Sequence, residues 1–381
     1  MPWACSGPFH VICVPPLYCD CEELALTREK PCRASSLGGK PRCPNRETQM
    51  IRFASRRSAL RGVLGLALIP AGLAACARNG GMVVPHAQGE ARLSAPPRRI
   101  VSYDLGALDM LQALGAGVAA VPAVRMPSYL SGFEADTYPR VGTLFEPDLD
   151  ALRAARPDLI LVGGRSSRQF EALSAIAPTL DLSARPTHFL ADVERNLRSL
   201  GQVLGREAEA EGLLAAFAGE RAALHARSAG AGTGLMLFVA GQGMSVQPPG
   251  GRFGYMYDLF GIRPVVAAEE APAAPAQAAA EGSPEAAAQA QARREAGAAQ
   301  ASFLLSALRR NPDWIFALDR PAATGGEAVA NTRLAASEAV RGTTAWRRQQ
   351  LVMLDAPAWY LAGNGITALR SAVAQFSRVL G

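Results

Sequence analysis

Lysine is nearly absent from this 381-residue chain: Lys30 and Lys40 are the only two, and every other basic side chain is arginine. The formal charge of +6 therefore reflects arginine usage, which sets aside a phosphate-binding patch and makes any single arginine a weak sign of function. Cysteine is missing after Cys76, because six of the seven (Cys5, Cys13, Cys19, Cys21, Cys32 and Cys43) crowd the first 49 residues. The remainder can form neither a disulfide nor a thiolate metal site. Histidine is scarce as well: His86, His188 and His225 fall on separate predicted elements, a poor arrangement for direct metal ligation. No Gly-x-Ser-x-Gly elbow or P-loop is present, and Gly241-Gln-Gly243 lacks the strand-turn-helix setting of a nucleotide loop. Nothing points to catalysis.

What is present begins with an export pattern. Arg52, Arg56, Arg57 and Arg61 form a basic head, Gly62 to Leu73 an apolar stretch, and Leu73-Ala74-Ala75-Cys76 a lipobox whose cysteine thiol takes the lipid. The stretch is too short to span a bilayer and suits a secretory signal. Ser55-Arg56-Arg57 also resembles a twin-arginine signal, so Sec and Tat routes both stay open. Residues 1–49 then read as an upstream extension, disordered or untranslated, 50–76 as a lipoprotein signal peptide, and 77–97, rich in Gly, Pro, Ala and Arg, as a flexible tether.

From Arg98 onward, strand-length apolar runs alternate with helical patterns: Arg99 to Tyr103 then Leu105 to Leu114, and Leu149 to Ala155 then Leu159 to Val162. This is the rhythm of an α/β fold with a mostly parallel sheet. Between Leu190 and Ser228 the helical spacing runs on uninterrupted, predicting one long helix as a spine. A second alternation follows, giving an N-terminal lobe at 98–188, a linking helix at 189–229 and a C-terminal lobe at 230–381. Residues 265–301, mostly Ala, Glu, Gln and Pro, read as a solvated Ala-rich helix or a mobile insertion.

The segments Val101-Ser-Tyr-Asp-Leu-Gly-Ala-Leu-Asp109, Val141-Gly-Thr-Leu-Phe-Glu-Pro147, Pro157-Asp-Leu-Ile-Leu-Val-Gly-Gly-Arg165, Arg252-Phe-Gly254, Asn311-Pro-Asp-Trp-Ile-Phe-Ala-Leu-Asp-Arg320 and Trp359-Tyr-Leu-Ala-Gly363 resemble those of catecholate-siderophore-binding lipoproteins of ABC importers. The likeness spans roughly Arg98 to Gly381. It implies two Rossmann-like lobes joined by one long α-helix, with a ligand cleft between them. It also implies a trio of arginines at Arg165, Arg252 and Arg320 and a tyrosine at Tyr360 around a ferric siderophore, with Tyr360 as a candidate Fe(III) ligand and Tyr103 and Tyr255 as weaker contacts. No permanently bound cofactor and a monomer are expected. Guanidinium groups stay charged and donate planar pairs of hydrogen bonds, which suits a polyanionic ferric catecholate. Arg165 and Arg320 each follow an apolar strand, where ligands of open α/β sheets bind.

Two departures from the family pattern stand out. Many relatives pair the tyrosine with a histidine that fills open iron sites, yet residues 262–310 contain none, so a preference for hexadentate ligands is expected. Docking to the permease implies an acidic residue on each lobe; Asp150, just after Glu146, fits the first, whereas the second falls near Leu305. The architecture is shared with haem and cobalamin-like binding proteins, and less closely with metal chelatases, whose cleft histidine is lacking.

Overall fold

The computed structural model describes residues 81–241, 243–272 and 285–381, with side chains of the last segment from 290 onward. The upstream extension, the signal segment with Cys76, the first residues of the tether and the middle of the insertion lie outside the described residues.

The expected tether is corrected by the first element of the fold. Strands β1 (Met82–His86) and β2 (Gly89–Leu93) form an antiparallel hairpin in which Val84 and Leu93 are buried. Side chains from the spine hold it, Ser199 donating to the Pro85 carbonyl at 2.8 Å and Gln202 to that of Val83 at 3.0 Å, while the Ala87 amide donates to the Asp181 carbonyl. Two buried apolar side chains and these bonds dock a segment whose composition alone reads as linker.

The N-terminal lobe comprises β3 (Ile100–Ser102), α1 (Leu105–Ala113), α2 (Leu149–Ala155), β4 (Leu159–Val162), α3 (Phe170–Ser174) and β5 (Thr179–Asp181). The three strands are parallel in the order β3-β4-β5. All four residues of β4 are buried, as expected for a strand covered on both faces. Asp104 and Asp148 cap α1 and α2 by accepting early amide N–H bonds.

The spine is bent rather than continuous. It consists of α4 (Phe189–Leu204) and α5 (Glu207–Ser228), separated at Gly205, whose φ of 64° is the left-handed conformation that ends a helix at little cost for glycine. Arg198 reaches Glu211 at 2.7 Å. A straight helix, rising about 1.5 Å per residue, would separate residues that far apart in sequence by about 20 Å. Apolar periodicity survives the bend because both halves turn an apolar face to the same core, which is why spacing alone does not reveal it.

The C-terminal lobe follows with β6 (Thr233–Ala240), β7 (Gly243–Val246), α6 (Tyr255–Phe260), β8 (Arg263–Pro264), α7 (Glu285–Arg309), β9 (Trp314–Asp319), α8 (Arg320–Ala323), α9 (Ala330–Ala336), α10 (Glu338–Arg341), α11 (Thr344–Arg347), β10 (Leu351–Met353), α12 (Ala356–Ala362) and α13 (Ile366–Val379). Its sheet runs β10-β9-β6-β7, with β8 parallel to β6, β6 parallel to β9, and β7 antiparallel to β6. Helix α7 realises the helical reading of the insertion: it is largely exposed over 290–302 and buries Phe303, Leu304, Ala307 and Leu308 at its end.

The lobes share a seam. Leu361 and Ala362 of α12 pack among Leu105, Leu108, Leu130 and Phe133 of the first lobe. Beside them, the fully buried Asp109 of α1 accepts the backbone N–H of Thr367 (2.8 Å) and Ala368 (3.0 Å) at the start of α13, together with the Tyr129 hydroxyl (2.8 Å). Asp104 likewise accepts the Asn364 amide at 3.0 Å. The approach needs glycine: a Cβ on Gly365 would lie 2.4 Å from the Asp109 carboxylate, and one on Gly106 would lie 2.1 Å from the Asn364 side chain.

Candidate functional site

A cleft of ≈ 710 Å³ opens along this seam. The residues that position its charge come from four segments. Arg165 lies just beyond β4, Arg252 in the loop before α6, Arg320 at the first position of α8 beyond β9, and Tyr360 in the middle of α12. Arg165, Arg252 and Tyr360 line the cleft; Arg320, expected with them, is not part of the lining, although it is near enough to lower the Tyr360 phenol.

The guanidiniums converge on one ring. The Arg252 Cζ stands 4.7 Å and the Arg165 Cζ 4.9 Å from the Tyr360 ring centroid, and Arg165 donates to the Tyr360 carbonyl. Arg252 also covers Phe253 at 4.8 Å, so aromatic faces, rather than carboxylates, hold it. Among the described residues none of the three arginines forms a salt bridge. Asp319, the nearest acid in sequence to Arg320, instead accepts amide N–H bonds from Ala322, Val329 and Ala330.

Titration behaviour follows. Burial pushes the Arg165 guanidinium down, and the neighbouring charge of Arg252 adds to that, against opposing pulls from Tyr360 and Asp104. Burial raises the Tyr360 phenol, but hydrogen bonding from Arg320 and the charges of Arg252 and Arg165 outweigh it and leave it below the usual tyrosine value. The site thus holds unneutralised positive charge in a partly desolvated groove, where an anion is attracted more strongly than in open water.

Other predicted residues are placed differently. Tyr103 is corrected from a ligand contact to a core residue: it is 1% exposed, its hydroxyl donates to the Val141 carbonyl at 2.7 Å, and its ring packs beneath α2. Burial accordingly pushes its phenol well above the ordinary range. Asp150 is exposed on the first turn of α2 and pairs with Arg153 at 2.9 Å, whereas Glu146, expected to share its docking role, lies on the cleft lining. Leu305, at the second docking position, is 43% exposed. Cys76 lies outside the described residues.

The lining includes Tyr255, expected as a weaker contact, and also Phe189, Arg168 and Gln169, which the sequence did not single out. Phe189 stacks on Tyr255 with centroids 3.8 Å apart, and Tyr255 on Trp359 at 5.2 Å, making an aromatic wall. Phe145, Arg168 and Gln169 complete the opposite rim. Nothing in spacing marks them, although Arg168 lies one 3₁₀ turn after Arg165, a proximity that could have suggested it. No histidine lines the cleft, and among the described residues no group of three or more His, Cys, Asp or Glu is gathered to hold a metal. No helix among them is long and apolar enough to cross a membrane.

A model of the family described as periplasmic binding protein matches residues 100–358. The chain is 27% identical over 276 residues to the petrobactin-binding protein YclQ of Bacillus subtilis, covering 72% of this chain and 79% of that one. It is 23% identical over 295 residues to the ferric-anguibactin-binding protein FatB of Vibrio anguillarum, covering 76% and 84%. The crystal structure of YclQ superposes with a TM-score of 0.68 at 24% identity, covering 79% of this chain and 98% of that one. A TroA-like periplasmic binding protein from Xylanimonas cellulosilytica superposes with a TM-score of 0.61 at 36% identity, covering 75% and 89%.

Proposed function

The chain belongs to the periplasmic binding protein family, and we propose that it captures a ferric siderophore of catecholate type and delivers it to an ABC importer. One observation carries the reading: Arg165 and Arg252 converge on the Tyr360 ring in the interlobe cleft, Arg320 is near enough to lower the Tyr360 phenol, and among the described residues no carboxylate pairs with any of the three. Arg165 is half-buried and Arg252 and Arg320 are exposed, and like charges held this close repel, so a fold that collects them without counter-ions suits an anion supplied from outside. A ferric tris-catecholate is a bulky trianion whose phenolate oxygens take the paired donors of guanidinium, and each such charged hydrogen bond contributes roughly 1.5 to 3 kcal/mol. The names of the relatives YclQ and FatB, each for a siderophore, support the same class.

With no histidine on the lining, the cleft offers iron at most the Tyr360 phenolate. The ligand is therefore hexadentate, arriving with its iron already saturated, and Tyr360 serves first as the ring against which the guanidiniums are ordered. Delivery begins from Asp150 on the exposed face of α2, which would meet a basic residue of the permease. Export and lipid attachment at Cys76 would hold the protein at a membrane as a monomer.

Trp359 lines the cleft and supplies the test. Quenching of tryptophan emission should report nanomolar binding of a hexadentate ferric catecholate, with tetradentate catecholate, ferric hydroxamate and haemin all weaker. A preference for haemin would replace the siderophore reading with a haem-binding one.

A further inference from the structure

Phe145 is the most exposed large apolar side chain among the described residues, at 60%, and it sits on the rim of the arginine cleft. A lone exposed ring is ordinary on a protein surface. This one is held at a fixed place. The Thr143 hydroxyl accepts the Phe145 and Glu146 amides at 3.2 and 3.0 Å, the Thr143 amide donates to the Glu146 carbonyl at 2.9 Å, and Gln169 donates to the Phe145 carbonyl. Gly142 closes the base of the turn with φ 92°, where a Cβ would lie 2.3 Å from the Asp148 amide.

The ring's neighbours on the same lining are chemically specific. Arg168 is exposed on the 3₁₀ turn after Arg165, with no ion pair or side-chain hydrogen bond among the described residues. The Glu146 carboxylate, next to Phe145 in the turn, has none either. An apolar flat face, a free cation and a free carboxylate acceptor thus stand together at the mouth of an anion cleft. They match the three parts of an aroylamide arm: the ring, its phenolate oxygens and its amide N–H.

We propose that Phe145, Arg168 and Glu146 form an outer subsite that grips one catecholamide arm of the ligand, Phe145 stacking on the ring, Arg168 meeting the phenolate edge and Glu146 accepting the amide N–H. The proposal rests on the siderophore reading and deepens it: the inner arginines answer to charge, which any polyanionic chelate has, whereas the rim answers to the aromatic ring. Because Phe145 is exposed and its turn is held by backbone and Thr143, its replacement leaves the fold intact.

The test uses the full-length purified protein and a synthetic ferric tris(catecholamide) chelate. F145A should weaken binding about fivefold, as expected for loss of one aromatic pair, mainly through faster dissociation, with an unchanged circular-dichroism spectrum. F145W should restore wild-type affinity and add a tryptophan whose emission the bound ferric chromophore quenches. If F145A binds as the wild type does, or the new tryptophan is not quenched at saturation, the subsite is refuted while the cleft reading stands. Wild-type protein that does not bind the chelate at all overturns both.

Discussion

Two clusters of charge meet where the lobes join, and they are finished in opposite ways. On the seam, Asp109 is fully buried and every bond it needs is supplied, by the Thr367 and Ala368 amides and the Tyr129 hydroxyl. In the cleft alongside, Arg165 and Arg252 repel one another and lean on the face of Tyr360, with no acid among the described residues paired to either. Satisfied charge holds a structure together, whereas unsatisfied charge waits for a ligand. In a chain so rich in arginine this distinction separates roles that residue type cannot: Arg370, paired with Glu220, ties α13 to α5, and Arg185, paired with Asp192, fixes the entry to α4.

The largest expected effect comes from emptying the seam. Asp109→Ala leaves buried amide and hydroxyl donors without an acceptor and should cost about 3 to 5 kcal/mol in chemical denaturation. A loss under about 1 kcal/mol would mean that solvent reaches those donors and that the seam is not the sealed half of the pair. In the cleft the outcome should reverse. Arg165→Ala should lower ferric catecholate affinity by roughly 10- to 100-fold, since one charge-assisted bond is worth about 1.5 to 3 kcal/mol, yet leave the melting temperature unchanged or raised. A fall in stability comparable to that of the seam variant would erase the contrast.

Titration sharpens it further. The Tyr360 phenol is held below its ordinary 10.0, so its ionised form is favoured in the fold; the stability this contributes is present above that value and lost as pH falls through the folded one. Ultraviolet titration should show an early tyrosinate step that vanishes in Tyr360→Phe and moves up in Arg320→Ala. Asp109 has the opposite sign: burial, exceeding the help of its hydrogen bonds, raises it above 3.8. Its contribution is complete below that value and declines as pH rises through the folded one. Unfolding measured across the acid range in wild type and Asp109→Asn should differ with that slope. The smallest effect belongs to the spine's solvent-facing pairs. Arg198→Ala, which breaks bonds to Glu194 and Glu211, should cost less than about 1 kcal/mol and leave ligand affinity untouched.

Much of this was legible before any coordinates. The apolar run Leu159 to Val162 is a strand buried on both faces, and Arg165, which follows it, emerges at the sheet end where the cleft opens. Residues whose meaning depends on direction were harder to read. Tyr103 sits as close to a strand end as Arg165, yet it points into the sheet's packed face, and no spacing rule distinguishes the two. The bend at Gly205 is concealed because heptad-like spacing continues through it, although glycine followed by an arginine and a glutamate is the usual mark of one helix ending and another starting. Hairpin β1–β2 carried only a faint alternation around Val84, and its stability comes from spine partners more than a hundred residues away. The rim turn at Phe145 lies inside the family-like segment Val141 to Pro147, yet nothing in that segment tells which of its side chains lines the cleft.

The buried bonds between α1 and the start of α13 also limit how this molecule works as a trap. Opening the jaws wide would strip Asp109 and Asp104 of their donors, a penalty comparable to a good share of what a nanomolar ligand gains on binding. Ligand binding should therefore change the separation of the lobes little, which small-angle scattering of the free and loaded protein would check. A socket of that kind would empty slowly on its own, and the delivery proposed above would then need leverage from the importer.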